Sequence, residues 1–189
     1  MSNHRGNDSA DGFTLIELLV YMMLIGLVLA IVGAMMINTM RTSKTVTSVT
    51  DASNAGQLVA HSVEKGIRNS SDFLLTSGAG DDQFLVARTA LGGTTLTWVC
   101  AAWYYSADGD GSIRYKTSGT QILAPTALEL ATWTLLDEGI EPATGTTIFS
   151  TSGEQLSIAF HGLAGDHPPV AISSSAHSRA GATGSPTCY

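Results

Sequence analysis

Glu17 is the residue most clearly placed to do chemistry. It is the only charge between Phe13 and Met40, in a run that also lacks proline, the first proline of the chain being Pro125. A lone carboxylate inside hydrocarbon costs about 2.5–3.5 kcal/mol on insertion scales, so Glu17 calls for a positive partner. A cut between Gly12 and Phe13 would create one, the new α-amino group of Phe13. A helix beginning there would favour the same carboxylate through its N-terminal dipole. The other candidate groups read as ordinary structure. Asp108-Gly109-Asp110-Gly111 offers oxygen ligands for calcium. However, Ile113 stands where an EF-hand loop needs glycine and Gly119 where it needs glutamate, so the segment reads as a tight turn. His61 and Glu64 share a helix face and read as solvated polar residues rather than a metal pair. His161, Asp166, His167 and Ser173–Ser175 could be drawn as a nucleophilic triad, but any serine-rich segment permits that. There is no Gly-rich phosphate loop, HExxH, CxxC or Gly-x-Ser-x-Gly, so the residues point to no enzyme, no metal and no cofactor.

The element that must position Glu17 is the apolar run itself. A helix over 13–40 reaches roughly 40 Å at about 1.5 Å per residue, enough to cross a bilayer with some tilt. Leu, Met, Ile and Val surround it on all sides, leaving no polar face for water. Gly12-Phe13-Thr14-Leu15-Ile16-Glu17 followed by such a run resembles the cleavage and methylation signature of type IV pilins and type II secretion pseudopilins. The resemblance implies that a prepilin peptidase cuts after Gly12 on the cytoplasmic side and methylates the Phe13 amine. It also implies that Glu17 neutralises the Phe13 amine of a neighbouring subunit when the span enters a filament. Residues 1–12 would then be a leader. Arg5 in that leader is offset by Asp8 and Asp11, while Arg41 and Lys44 follow the span, so the expected cytoplasmic N-terminus comes from the signature and not from charge bias. Gly26 and Gly33 interrupt the span. They read equally as sites of close helix packing and as points of local melting on assembly.

Beyond the span the helical rhythm continues. Val46, Val49, Ala52, Ala55, Val59, Val63 and Ile67 recur at three- and four-residue spacing, which predicts an amphipathic continuation over 41–72 that ends at Asn69-Ser70-Ser71-Asp72. From about Phe73 the period becomes two. Gln83–Thr89, Thr94–Ser106 and Ser112–Thr117 read as strands, the last two forming a hairpin across Asp108–Gly111. Leu128–Leu136 reads as a strand or a short helical turn, and Thr147–Thr151 and Gln155–His161 as strands. Pro168-Pro169 limits a last edge strand to Val170–Ser173, with a draped tail from Ser174. The expected class is α+β: a long N-terminal helix, transmembrane in its first half and amphipathic in its second, packed on one antiparallel sheet of residues 73–189 in a pilin-like fold.

The net charge of −7 argues against a broad nucleic-acid surface. A local patch of Arg88, Arg114 and Lys116 is what a DNA-uptake subunit would use. The two cysteines, Cys100 and Cys188, suit an exported chain with one disulfide, and many pilins close a C-terminal loop in this way. The element order is similar to PilW-type minor pilins and J-type minor pseudopilins. The expected partners are prepilin peptidase, other pilin or pseudopilin subunits, an inner-membrane assembly platform and, before assembly, membrane lipid. The expected location is a single pass of the cytoplasmic membrane, then a periplasmic or extracellular filament. A permanently anchored domain of unknown task is the competing reading.

Overall fold

A computed structural model describes residues 14–92, 97–178 and 187–189. One helix, α1, runs unbroken over Leu15–Arg68. The chain separates into two compact units, one up to Lys44 and one from Thr45 onward. In the first unit every side chain from Leu15 to Met40 is exposed except Glu17, which is half-buried. In the second unit Ala52, Gly56, Val59, Ala60, Val63 and Ile67 are buried along one stripe. Val46 was expected to belong to that stripe, but it is 59% exposed, so the packed stripe begins near Ala52. The helix closes at Arg68, where Glu64 pairs with Arg68 at 2.8 Å. Ser70 Oγ donates to the Ile67 carbonyl at 2.7 Å, satisfying one of the carbonyls a helix end leaves open. The residues expected to end the helix, Ser70–Asp72, open the first strand instead.

That strand, β1 (Ser70–Ser77), begins an antiparallel meander with β2 (Gln83–Leu91), β3 (Thr97–Ser106), β4 (Ser112–Ser118) and β5 (Thr134–Glu138), in that spatial order. Before β5, a single helical turn, α2 (Ala127–Leu130), is fixed by a Thr126/Glu129 capping box. The segment 128–136 is therefore a helical turn followed by a strand. The single expected sheet is in fact two. Gly139, at φ +76°, kinks the chain between β5 and β6 (Ile140–Pro142). Strand β6 joins a second antiparallel sheet with β7 (Phe149–Ser152), β8 (Gln155–Ala164) and β9 (His167–His177). One edge of β8 carries β6 and β7 end to end, and the other carries β9. The tail expected from Ser174 is part of this ladder, which continues from Ser174 opposite Ile158 to His177 opposite Gln155. Pro168 and Pro169 fit because β9 is an edge strand and its register slips between Gly162 and Ala164.

The main core lies between α1 and the two sheets, with Val59, Val63 and Ile67 against Leu85, Trp103, Tyr105, Ile113, Ile158 and Phe160. Two glycines let the helix approach. A Cβ at Gly66 would lie 2.1 Å from the Trp103 ring, and one at Gly56 would lie 2.8 Å from Ile172. The indole of Trp103 donates to Ser62 Oγ at 3.0 Å. Buried Gln83 ties the sheets together. Its Oε1 accepts from the Ile148 and Phe149 amides at 2.7 and 2.9 Å, and its Nε2 donates to the Phe149 carbonyl at 2.9 Å.

The opposite face of the first sheet has its own core of Phe84, Val86, Cys100, Ala102 and Tyr104, covered by Ile122, Trp133 and Cys188. The last residue, Tyr189, donates its phenol to Asp72, and Arg88 pairs with Asp72 at 2.8 Å while lying 5.8 Å over the Tyr189 ring. Burial, then the Asp72 hydrogen bond, pushes the Tyr189 phenol from 10.0 up to about 12. Burial alone would raise Asp72. The hydrogen bonds from Tyr189, the Phe73 amide and Arg88 outweigh it and hold the carboxyl below 3.8. The raised phenol contributes stability that is full below its unfolded value and is lost as pH rises through about 12. The lowered carboxyl contributes stability that is full above its unfolded value and is lost as pH falls through its folded value. The melting-temperature gap between the unaltered protein and Tyr189→Phe is therefore expected to be widest near neutral pH and to close at both extremes. Thermal melts across a pH series check this.

Candidate assembly site

The site begins where α1 begins. Thr14-Leu15-Ile16-Glu17 has the spacing of a helix start, with a hydroxyl three residues before a carboxylate. Thr14 Oγ1 accepts from the Glu17 amide at 3.3 Å, and the Thr14 carbonyl takes the Glu17 and Leu18 amides at 3.1 and 3.2 Å. One turn further along the helix, the Tyr21 hydroxyl donates to Glu17 Oε1 at 3.2 Å. An acidic group in the first turn also suits the positive end of the helix dipole. From Leu18 to Met40 the helix presents apolar side chains on every face, with Leu18, Leu24, Leu29 and Met35 each at least half exposed. This helix is long and apolar enough to cross a membrane, and none of its most apolar window is buried. Gly12 and Phe13, the residues expected to carry cleavage and methylation, lie outside the described residues, as do all of 1–12.

The other candidates stand apart from this helix start. Cys100, in β3, and Cys188 form a disulfide with Cα atoms 5.4 Å apart. Arg88, Arg114 and Lys116 do share the outer face of the first sheet, opposite Cys100, Tyr104 and Ala102. Each is engaged within the protein. Arg88 is bonded to Asp72, Arg114 donates to the Trp133 carbonyl at 3.3 Å, and Lys116 lies 5.5 Å over the Trp133 ring. Asp108–Gly111 is the turn between β3 and β4, closed by the Gly111 amide on the Asp108 carbonyl at 3.2 Å. Glu64 is held by Arg68 and by Ser174, not by His61. Ser174 is thereby committed to the helix, and Ser173 and Ser175 face Ala159 and Ser157, two and four residues from His161 along β8. Among the described residues, no group of three or more His, Cys, Asp or Glu is placed to hold a metal.

Sequence reasoning missed Tyr21 as a partner of Glu17, although their four-residue spacing puts them on one helix face and was there to be read. It also missed Gln83, whose partners lie some sixty-five residues away.

Residues 8–33 match the family model described as the prokaryotic N-terminal methylation motif. No curated protein and no solved structure matches the chain. A capped helix start bearing one carboxylate, a fully exposed apolar helix behind it, and a motif that covers both together place on this chain the N-terminal signature of the type IV pilin and pseudopilin family.

Proposed function

We propose that the chain is a structural, non-enzymatic subunit, a minor pilin or pseudopilin of a type IV pilus or type II secretion pseudopilus. In this reading prepilin peptidase removes residues 1–12 by cutting after Gly12 and methylates the amine of Phe13. The span 13–40 holds the subunit in the cytoplasmic membrane and later joins other spans in the filament core. Glu17 sets the axial step by pairing with a neighbour's Phe13 amine. The sheet domain faces the outer side and determines what the filament touches. The observation that carries the reading is the apolar helix, exposed on every face from Leu18 to Met40, lying within and just beyond the matched motif. A soluble protein would bury such a surface. The Cys100–Cys188 disulfide supports an outward domain, since such bonds persist in oxidising compartments.

The test is the N-terminal residue of the membrane-extracted protein, read by intact mass and terminal sequencing in cells with and without prepilin peptidase. The expected result is N-methyl-Phe13 with the enzyme and an uncut leader without it. A Met1 start in both strains would remove the filament reading and leave a permanently anchored domain.

A further inference from the structure

Between Thr14 and Thr39 the apolar run contains one hydroxyl, that of Tyr21, and one charge, that of Glu17. The two groups bond each other at 3.2 Å. The direction of the pair matters. Side chains on a helix lean toward its N-terminus, so a tyrosine one turn after a glutamate lies over it, while one placed a turn before would lean away. An unpartnered phenol and an unpartnered carboxylate are each costly in hydrocarbon, and here each meets part of the other's need. The bond engages Oε1 and leaves Oε2 for a second donor.

We infer that Tyr21 is a positioning residue for Glu17, holding the carboxylate by Oε1 so that Oε2 is presented to the α-ammonium of a neighbouring subunit. A carboxylate fixed by one hydrogen bond does not have to give up side-chain freedom when the ammonium arrives, and both oxygens end up satisfied. No proton is transferred and no covalent bond changes. The inference rests on the filament reading above.

The test uses the full chain in its native cells and in purified form. Tyr21→Phe removes the hydroxyl and keeps the ring, so membrane insertion is preserved and is checked by the amount in the membrane fraction. The ratio of subunit in sheared filaments to subunit in membranes is expected to fall roughly tenfold, the order set by losing one hydrogen bond to a charged group. A general lipid-anchoring role for Tyr21 would not touch Glu17 itself, so the second readout is infrared. In phospholipid nanodiscs the carboxylate band of Glu17, isolated by subtracting the spectrum of Glu17→Leu, is expected to shift in Tyr21→Phe. An unmoved band, or incorporation equal to that of the unaltered chain, overturns the inference. Glu17→Leu run alongside separates the two levels. If it too is incorporated normally, Glu17 does not pair with a neighbour's ammonium and the inference falls while the filament reading stands. If the unaltered chain itself is absent from sheared filaments, it is the filament reading that falls.

Discussion

Gly111→Ala is expected to lower the melting temperature of the sheet domain by about 10 °C or more. Two effects add. Gly111 sits at φ +73°, where any L side chain is strained by about 1–2 kcal/mol. A Cβ there would also lie 2.0 Å from the Ile140 carbonyl oxygen, which is backbone and cannot swing aside. Moving it would disturb the two hydrogen bonds by which Gly111 O receives the Gly139 and Ile140 amides, at 2.8 and 3.3 Å. Those bonds hold the kink through which the chain leaves the first sheet for the second. A total of about 3–5 kcal/mol follows, and each kcal/mol shifts a domain of this size by about 2–4 °C. Gly109→Ala is the control. It shares the turn and has φ +63°, but nothing lies within 4 Å of its Cβ position, so only the backbone strain remains. If thermal melts show equal losses for the two variants, the Ile140 contact is not what requires glycine at 111.

Removing the disulfide is the second large effect. Cys100 and Cys188 are separated by 88 residues, and opening a loop of that length is expected to cost about 4.5 kcal/mol in chain entropy. The local loss adds to this. Cys188 covers the outer core of the first sheet, and its carbonyl accepts the Ile122 amide at 3.2 Å. With Cys188 released, Tyr189 also loses its hold on Asp72 and Arg88. The paired variant Cys100→Ala/Cys188→Ala should melt about 10 °C below the oxidised protein, and reductant should bring the unaltered protein down to the same value. An unchanged melting temperature in reductant would mean that the outer core and Tyr189 hold the C-terminus without the bond.

Much of this architecture could be read from local pattern. The helix start, the apolar run, the change of period near Phe73 and the turn at Asp108–Gly111 are all short-range signals, and they led to the α+β class and to Glu17. The misses share a cause in contacts between residues far apart in sequence. Gly139 looks like an ordinary turn residue until Gly111 is seen to receive the amides on both sides of the kink, and that kink makes two sheets of one. Pro168-Pro169 argues against a strand only if the strand is central. β9 is an edge, so the prolines cost nothing there and the strand runs on to His177. Gln83 stands at the head of an expected strand, and nothing local shows that a second sheet lies over it and buries it. At the site itself, Tyr21 was within reach of local reasoning, but an aromatic residue in an apolar run is easily read as bulk and not as a donor.

The bond between Cys100 and Cys188 also makes a covalent ring of everything from the middle of β3 to the penultimate residue. Strands β4 to β9 all lie on that ring, while α1, β1 and β2 lie outside it. A protease that nicks any loop in the ring severs one peptide bond but sheds no fragment, because both pieces stay attached through sulfur. Two cuts, or one cut and a reductant, are needed before part of the second sheet can leave. The surface built from β6 to β9 is therefore protected against single proteolytic events, whereas one cut in the loop between β1 and β2 would part the helix from every strand beyond it except by packing.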